Sequence, residues 1–383
     1  LYQPDRVAPY TPFLLGESEA GVVAFLPNRR GFLDPKYPII LEIDGTPIDA
    51  VVKKLAPLIA DGSPQLKKNR ALRSMRSIAL WRVVEENPQS QRGFDIEAMK
   101  RPFAVKLSSL DGKNTKDLSV TPTQQRPTYG EWPANNSRIL SENVGYLRIP
   151  QMNGAAVSEI RRWMDRFKKT RGLIVDVRGN GGGSREALIT LAGYLVTDDS
   201  EPWVGNFAAY RTSKKFSESH LARRFMLPVD SPRWTQDQRK VIKRSMKNFN
   251  PEWELPKGFS SWHALVLGKT GHEDEYTYKS PVVMLSDAGC FSATDIFLGA
   301  LEVTLIGSAS SGGSARSQGF SLPVSLIEVR CASMASFRPN GKLYDGNGIE
   351  VDEQILPAAE FYTRDGEDRV LKNAIQHFKE STR

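Results

Sequence analysis

Residues 281–301 read PVVMLSDAGCFSATDIFLGAL, and the fold is decided there. Val282, Val283, Met284 and Leu285 form a short apolar run that predicts a buried strand. Ser286 to Gly289 make a small-residue turn, and Ile296, Phe297, Ala300 and Leu301 then share one helical face. Ser292 stands at the strand-to-helix corner with Asp295 three residues on. Free N–H groups at a helix start favour negative charge. A serine there is either an N-cap or a nucleophile whose oxyanion those N–H groups hold.

A second stretch, GLIVDVRGNGGGSREALITLAGYL (172–195), repeats the layout. Leu173–Val177 predicts a buried strand, Gly179–Gly183 a glycine-rich turn, and the remainder a helix. Consecutive glycines let a backbone approach a ligand and direct its N–H groups there.

Together the two stretches resemble the C-terminal processing peptidases, or tail-specific proteases, in their tricorn-like branch. The family's Asp-Leu-Arg-x-Asn-x-Gly-Gly is similar to Asp176-Val177-Arg178-Gly179-Asn180-Gly181-Gly182-Gly183. Its Ser-Ala-x-Glu is similar to Ser292-Ala293-Thr294-Asp295, and its Gly-Ile-Glu-Pro-Asp to GIEVD (348–352) with Val351 for proline. The resemblance covers roughly residues 20–360. It implies an α/β (α+β) fold: a ClpP/crotonase-like β–α superhelical core with a mixed sheet, plus a small PDZ-like β-rich domain.

The bulk numbers fit a globular chain. With 383 residues, 40% hydrophobic and 25% charged, a buried core and two domains are expected. No apolar run reaches the roughly 20 residues that span a bilayer, so stable membrane insertion is not expected. The chain begins at Leu1 without a signal peptide, which reads as a trimmed or processed product. Export, periplasmic or extracytoplasmic, is expected only from the resemblance. The net charge of +8 gathers in Lys67–Arg82 and Arg211–Lys247. Sparse aromatics and the absence of a nucleic-acid motif argue against nucleic-acid binding; a solvated face or attraction of an acidic polypeptide remain. Cys290 and Cys331 form no CxxC, and His220, His263, His272 and His377 lack ligand spacing, so neither metal nor cofactor is expected. Cys290 reads as a small core residue or a rival nucleophile.

Along the chain, residues 1–20 read as a Pro-rich extended lead-in. Residues 21–125 predict the small domain: strands at 21–27 and 38–48, an Asp44-Gly45 turn, a helix over 63–86 and a hairpin at 103–120. This order resembles a PDZ-like module, which takes a peptide as an added strand. Residues 126–142 read as a linker and 143–383 as the peptidase core, where strand–helix–strand spacing predicts a βαβ unit. Residues 198–262 break the pattern and look like an insertion, either a lid or a surface subdomain.

The resemblance implies serine endopeptidase chemistry on a polypeptide, with Ser292 as nucleophile. The oxyanion donors it implies are the Ala293 N–H and one from Gly182 or Gly183. Asp176, Arg178, Asn180 and Asp295 are expected to support the site. A serine needs a base. The bacterial branch has a lysine where this chain has Gly313. The tricorn-like branch has a histidine oriented by an acid, for which Asp345 fits; Tyr10 stands where that histidine is expected, and His263 is a substitute by position. Two other readings stay open: a catalytically impaired relative that binds a peptide or apolar ligand in the same cleft, and an envelope-associated scaffold.

Overall fold

The computed structural model describes residues 9–85, 99–133, 136–212, 221–324 and 327–380. The architecture is mixed α/β, as expected, and the chain divides into two compact units. The first comprises residues 1–131 and 355–373; the second comprises 132–354 and 374–383.

The first unit is built on one antiparallel sheet. Its strands are β1 (Leu14–Ser18), β2 (Gly21–Phe25), β3 (Ile39–Ile43), β4 (Thr46–Pro47), β5 (Phe103–Ser108) and β6 (Thr115–Val120). The order is β1-β2-β3-β5-β6, with β4 paired to β3. Strand β1 lies inside the expected lead-in. No proline interrupts residues 13–26, and Leu14 and Leu15 are buried, so the segment pairs with β2 from Leu14↔Phe25 to Ser18↔Gly21. Tyr129, in the expected linker, fastens this strand: its hydroxyl donates to the Leu15 carbonyl at 2.9 Å.

Helices α1 (Ile48–Leu55), α2 (Pro64–Ser74) and α3 (Ile78–Glu85) complete this unit. Ser63 caps α2 by accepting from the Leu66 N–H at 3.1 Å, with Pro64 at the first helical position. The single helix expected over 63–86 is two. Between them the Arg76 carbonyl accepts from Thr11 N–H (2.9 Å) and the Ile78 N–H donates to Pro9 (3.3 Å). Those backbone groups are diverted from the helical ladder, so the ladder stops. Leu72, Met75, Ile78 and Trp81 bury the face the sequence marked, against Phe103, Val105 and Leu107 of β5.

The second unit carries a mainly parallel sheet. Its strands are β7 (Arg138–Leu140), β8 (Val144–Arg148), β9 (Gly172–Asp176), β13 (Val282–Ser286), β14 (Thr304–Gly307) and β18 (Glu353–Gln354). The order is β18-β14-β13-β9-β8-β7, parallel except for β7 at the edge. Helices α4 (Gly154–Phe167), α5 (Glu186–Leu195) and α7 (Ala293–Ala300) connect these strands, which makes the expected βαβ unit. Ile160, Met164 and Phe167 of α4 are sealed in the core with Leu173, Val175 and Met284 of the sheet. Each such side chain contributes on the order of 1.5–3 kcal/mol through burial.

A second sheet of this unit runs β11-β12-β10-β17, from β10 (Trp203–Tyr210), β11 (Leu227–Pro228), β12 (His263–Leu267) and β17 (Met334–Phe337). Strand β10 and helix α6 (Gln236–Asn248) fall within the expected insertion. Val204 to Tyr210 are buried, and β10 pairs on both sides, so this part of 198–262 is core rather than decoration. Strands β15 (Ser317–Ser321) and β16 (Glu328–Ala332) form a separate exposed ribbon. The last helix, α8 (Arg369–Glu380), buries Val370, Ala374 and Phe378.

Candidate active site

Adjacent parallel strands bring their C-terminal ends together, and this is where ligands collect in such sheets. Here β9 and β13 pair from Val282↔Leu173 to Leu285↔Asp176, so the turns that follow them begin level. The Gly179 N–H donates to Asp287 Oδ1 at 2.8 Å, and the Phe291 N–H to the Asn180 carbonyl at 3.0 Å. The two glycine-rich corners are therefore one structure. A Cβ added at Gly182 would lie 2.5 Å from the Phe291 oxygen, 2.7 Å from Ser292 Cβ and 2.9 Å from the Ala293 nitrogen. Only glycine lets the first turn seat against the serine.

Ser292 occupies the corner with φ 63 and ψ −116, outside the regions that L-residues favour. Such strain costs on the order of 1–3 kcal/mol and concentrates at functional sites. The side chain makes no capping hydrogen bond to α7. The N-cap alternative thus fails on geometry: the corner is strained and its hydroxyl is not spent on the helix. The Ser292 N–H is directed at the Asp295 carboxylate instead.

Asp295 is fully buried and collects donors from the loop after β14. It accepts from Ser310 Oγ at 2.5 Å, from the Gly312 N–H at 2.9 Å and from the Gly313 N–H at 3.1 Å. Burial nonetheless raises its pKa above the ordinary value. A third strand end is thereby tied to the serine corner. Gly313 lies against the Phe291 ring, leaving no room for a side chain on that path.

The first turn is held from beneath by a closed polar set. The Asp176 carboxylate accepts from Arg178 Nη2 (2.6 Å), Arg178 Nε (3.0 Å) and the Tyr146 hydroxyl (2.7 Å). Burial alone would raise its pKa, but Arg178 and Arg148 overcome this and hold it at about 2. Asn180 donates from Nδ2 to the Ile149 carbonyl (2.9 Å) and accepts the Gly182 N–H at Oδ1 (2.9 Å). The Gly182 N–H is thus occupied. At Gly183 the neighbours do the bonding: Ser184 N–H donates to Met152 at 2.7 Å and Met152 N–H to Gly182 at 3.3 Å.

Arg148 was missed in the sequence. Its guanidinium is 1% exposed and donates to the carbonyls of Pro133, Asp176 and Arg178. The signal was available: an arginine inside the otherwise apolar strand VGYLRI has to find buried partners.

Asp345 accepts the Ala315 N–H at 2.9 Å and Ser314 Oγ at 3.3 Å. Burial pushes its pKa up to about 6, and the Asp295 charge adds to that. Cys290 is buried and its thiol is directed at the Val177 carbonyl at 3.1 Å. Burial drives the thiol well above its usual pKa, so it is a core residue rather than a thiolate.

Tyr10 lies in the first unit, buried, its N–H donating to Thr123 at 2.8 Å. His263 is sealed in β12, with Nδ1 2.9 Å from the Ser261 carbonyl and its ring 5.5 Å from that of Tyr210. His220 lies outside the described residues.

The family model described as Peptidase family S41 matches residues 143–355, over half of the chain. The chain belongs to peptidase family S41. Members of this family are serine peptidases, hence hydrolases. The S41 match begins at the linker's end and runs through GIEVD to β18. The tricorn protease homolog 2 of Streptomyces coelicolor is 32% identical over 100 residues; the match covers 23% of this chain and only 8% of that protein. The structure of mature CPAF complexed with lactacystin shares the fold at a TM-score of 0.61 and 14% identity, over 97% of this chain and 82% of that one. The crystal structure of mature CPAF matches at a TM-score of 0.61 and 15% identity, over 97% of this chain and 81% of that one. No helix among the described residues is long and apolar enough to cross a membrane.

Proposed function

We propose that this S41 chain is an endopeptidase of the tail-specific, C-terminal processing type, acting on polypeptides through Ser292. The observation that carries the reading is the strained, uncapped Ser292 seated against the Gly182 turn. Its hydroxyl oxygen adds to the scissile carbonyl carbon, the C–N bond then breaks, and the departing amine takes up the proton lost by the serine, which leaves an acyl-enzyme that water hydrolyses. The carbonyl oxygen becomes an oxyanion beside the start of α7. The Ala293 N–H, at the first position of that helix, is one donor for it. Gly183 is better suited than Gly182 as the second, because Asn180 already takes the Gly182 N–H.

Asp345 is the acid in this reading. His263, in the same unit as Ser292, is the candidate kept for the residue that takes the serine proton. Supporting roles fall to Asp176, Arg178 and Asn180, which fix the glycine turn, and to Asp295, which orients the Ser292 N–H and the loop after β14. The antiparallel sheet of the first unit supports a PDZ-like part, which takes up an extended peptide segment by strand addition. Export of the protein belongs to the same proposal and rests on the family's habits alone.

The test is hydrolysis of an unstructured polypeptide by the wild type and by Ser292→Ala. The expected result is a loss of at least about a thousandfold with unfolding unchanged. Equal cleavage by the variant would exclude Ser292 as nucleophile. An active-site serine reagent that labels the wild type but not the variant separates an enzyme from an impaired binding protein.

A further inference from the structure

Strands β15 and β16 form a ribbon of two, and no other strand among the described residues pairs with either. An isolated pair of this kind is marginal in water. Side chains alternate across it. Gln318, Phe320 and Leu322 stand opposite Cys331, Val329 and Ile327 on one face; Ser317, Gly319 and Ser321 stand opposite Ala332, Arg330 and Glu328 on the other. The first face is mainly apolar and open to water, with Phe320 51% exposed, Ile327 50% and Leu322 37%.

The two edges of the ribbon differ. The Leu322 N–H donates to the Ile327 carbonyl at 3.0 Å, and the Ser333 N–H to the Arg316 carbonyl at 2.7 Å. Ladder bonds recur at every second residue of an antiparallel pair. The backbones of Ile327, Val329 and Cys331 therefore turn toward β15, and those of Glu328, Arg330 and Ala332 turn outward. The edge of β15 carries Gly319 and runs into Pro323, both of which discourage a further strand. The edge of β16 has neither. Its outward charges are Glu328 and Arg330, two positions apart, with side chains 52% and 62% exposed and 3.1 Å from each other.

An edge with this pattern complements itself. Suppose that a second β16 runs antiparallel with Val329 opposite its own copy. Each Glu328 then faces the other copy's Arg330, and each Ile327 faces a Cys331. Opposite charges directly across a strand pair stabilise it, and like charges destabilise it. Sliding by two residues sets Arg330 against Arg330 or Glu328 against Glu328. Sliding by one sets the apolar face against the polar one. Charge and face together leave one register.

We propose that β16 is a self-association edge, where two copies of this chain join their ribbons into one four-stranded sheet. The apolar faces become continuous, and the flanks of Ile327, Val329 and Cys331 are covered by the other copy. Strand pairing of this extent buries little area, so the dimer forms reversibly with concentration. The inference is independent of the peptidase reading.

Sedimentation equilibrium of the full chain over a concentration series is the test, and a monomer–dimer equilibrium is expected. Arg330→Glu and Glu328→Arg, each alone, are expected to raise the dissociation constant at least about tenfold. The exchanged pair, Glu328→Arg with Arg330→Glu, is expected to return it to within about threefold of wild type. Oxidation in a Cys331→Ser background reads the register. Val329→Cys should form an intermolecular disulfide, because residues opposite each other in a non-hydrogen-bonded pair approach to about 4.5 Å. Arg330→Cys should cross-link at least about tenfold more slowly, since it faces position 328. A chain that stays monomeric to about 0.2 mM would leave the ribbon to another occupant and overturn the proposal. So would a dimer whose affinity ignores the charge exchange, or equal cross-linking at the two positions.

Discussion

Ser292 pairs a backbone at φ 63 and ψ −116 with a hydroxyl that stabilises nothing in its own helix. That combination makes a prediction opposite to the usual one for a polar residue at a helix start. Ser292→Gly should raise stability by about 1–2 kcal/mol in denaturant unfolding, since glycine adopts this conformation without strain, while hydrolysis disappears. Asp345 makes a prediction in pH. Its folded pKa of about 6 lies above the ordinary 3.8, so the folded form holds the proton more tightly than the unfolded one. Stability is therefore undiminished below about pH 4 and falls as pH rises through about 6. Asp345→Asn should match the wild type at pH 4 and exceed it by about 1–3 kcal/mol at pH 8, in urea titrations at both values. At this scale the sequence showed Ser292, Asp295 and the glycines, because their spacing marks a strand-to-turn corner. It did not show that Asn180 occupies the Gly182 N–H, nor that Arg148 closes the Asp176 set. The first is a bond inside the turn that residue types alone do not specify, and in the second the strand marks a buried arginine without naming its partner on the next strand.

The elements that matter are the three parallel strands β9, β13 and β14 and the loops that leave their C-terminal ends. Strands β9 and β13 were legible as apolar runs, and the strand–helix–strand spacing before β9 announced parallel pairing. What periodicity could not reveal was the tie from Asp295 to Gly312 and Gly313, which fastens the third loop to the second. The role of β10 was also hidden. Its aromatic, basic flanks read as an insertion, whereas WVGNFAAY itself is the buried middle of a sheet. Contact between the first two loops is tight enough to test by adding one methyl group. Gly182→Ala places a Cβ 2.5 Å from a backbone oxygen at φ +93. It should cost more than about 2 kcal/mol in thermal unfolding and remove hydrolysis, whereas Gly181→Ala, where a Cβ meets nothing within 4 Å, should fold nearly normally.

For the whole molecule, the boundaries expected at 20, 125 and 142 missed how the chain is shared out. The first unit takes back residues 355–373 from the far end of the sequence. Within that unit Arg29 Nη1 donates to the Phe361 carbonyl at 2.8 Å, and the Tyr362 hydroxyl donates to Glu17 at 2.6 Å. Ala359 and Tyr362 pack on Leu14, Val23 and Phe25, and only a glycine at position 16 leaves space for the Tyr362 ring. A fragment of residues 9–131 is therefore expected to unfold at a lower denaturant concentration than the same fragment joined to 355–373 by a flexible linker, read by tryptophan fluorescence. Equal midpoints would show that the returning segment contributes nothing. The shared layout also sets an order of events during synthesis. Translation must pass Ser292, Asp345 and GIEVD before the amino-terminal sheet receives the hydrophobic cover of residues 355–373, so a ribosome holds that sheet half-finished while the strands of the second unit are being made.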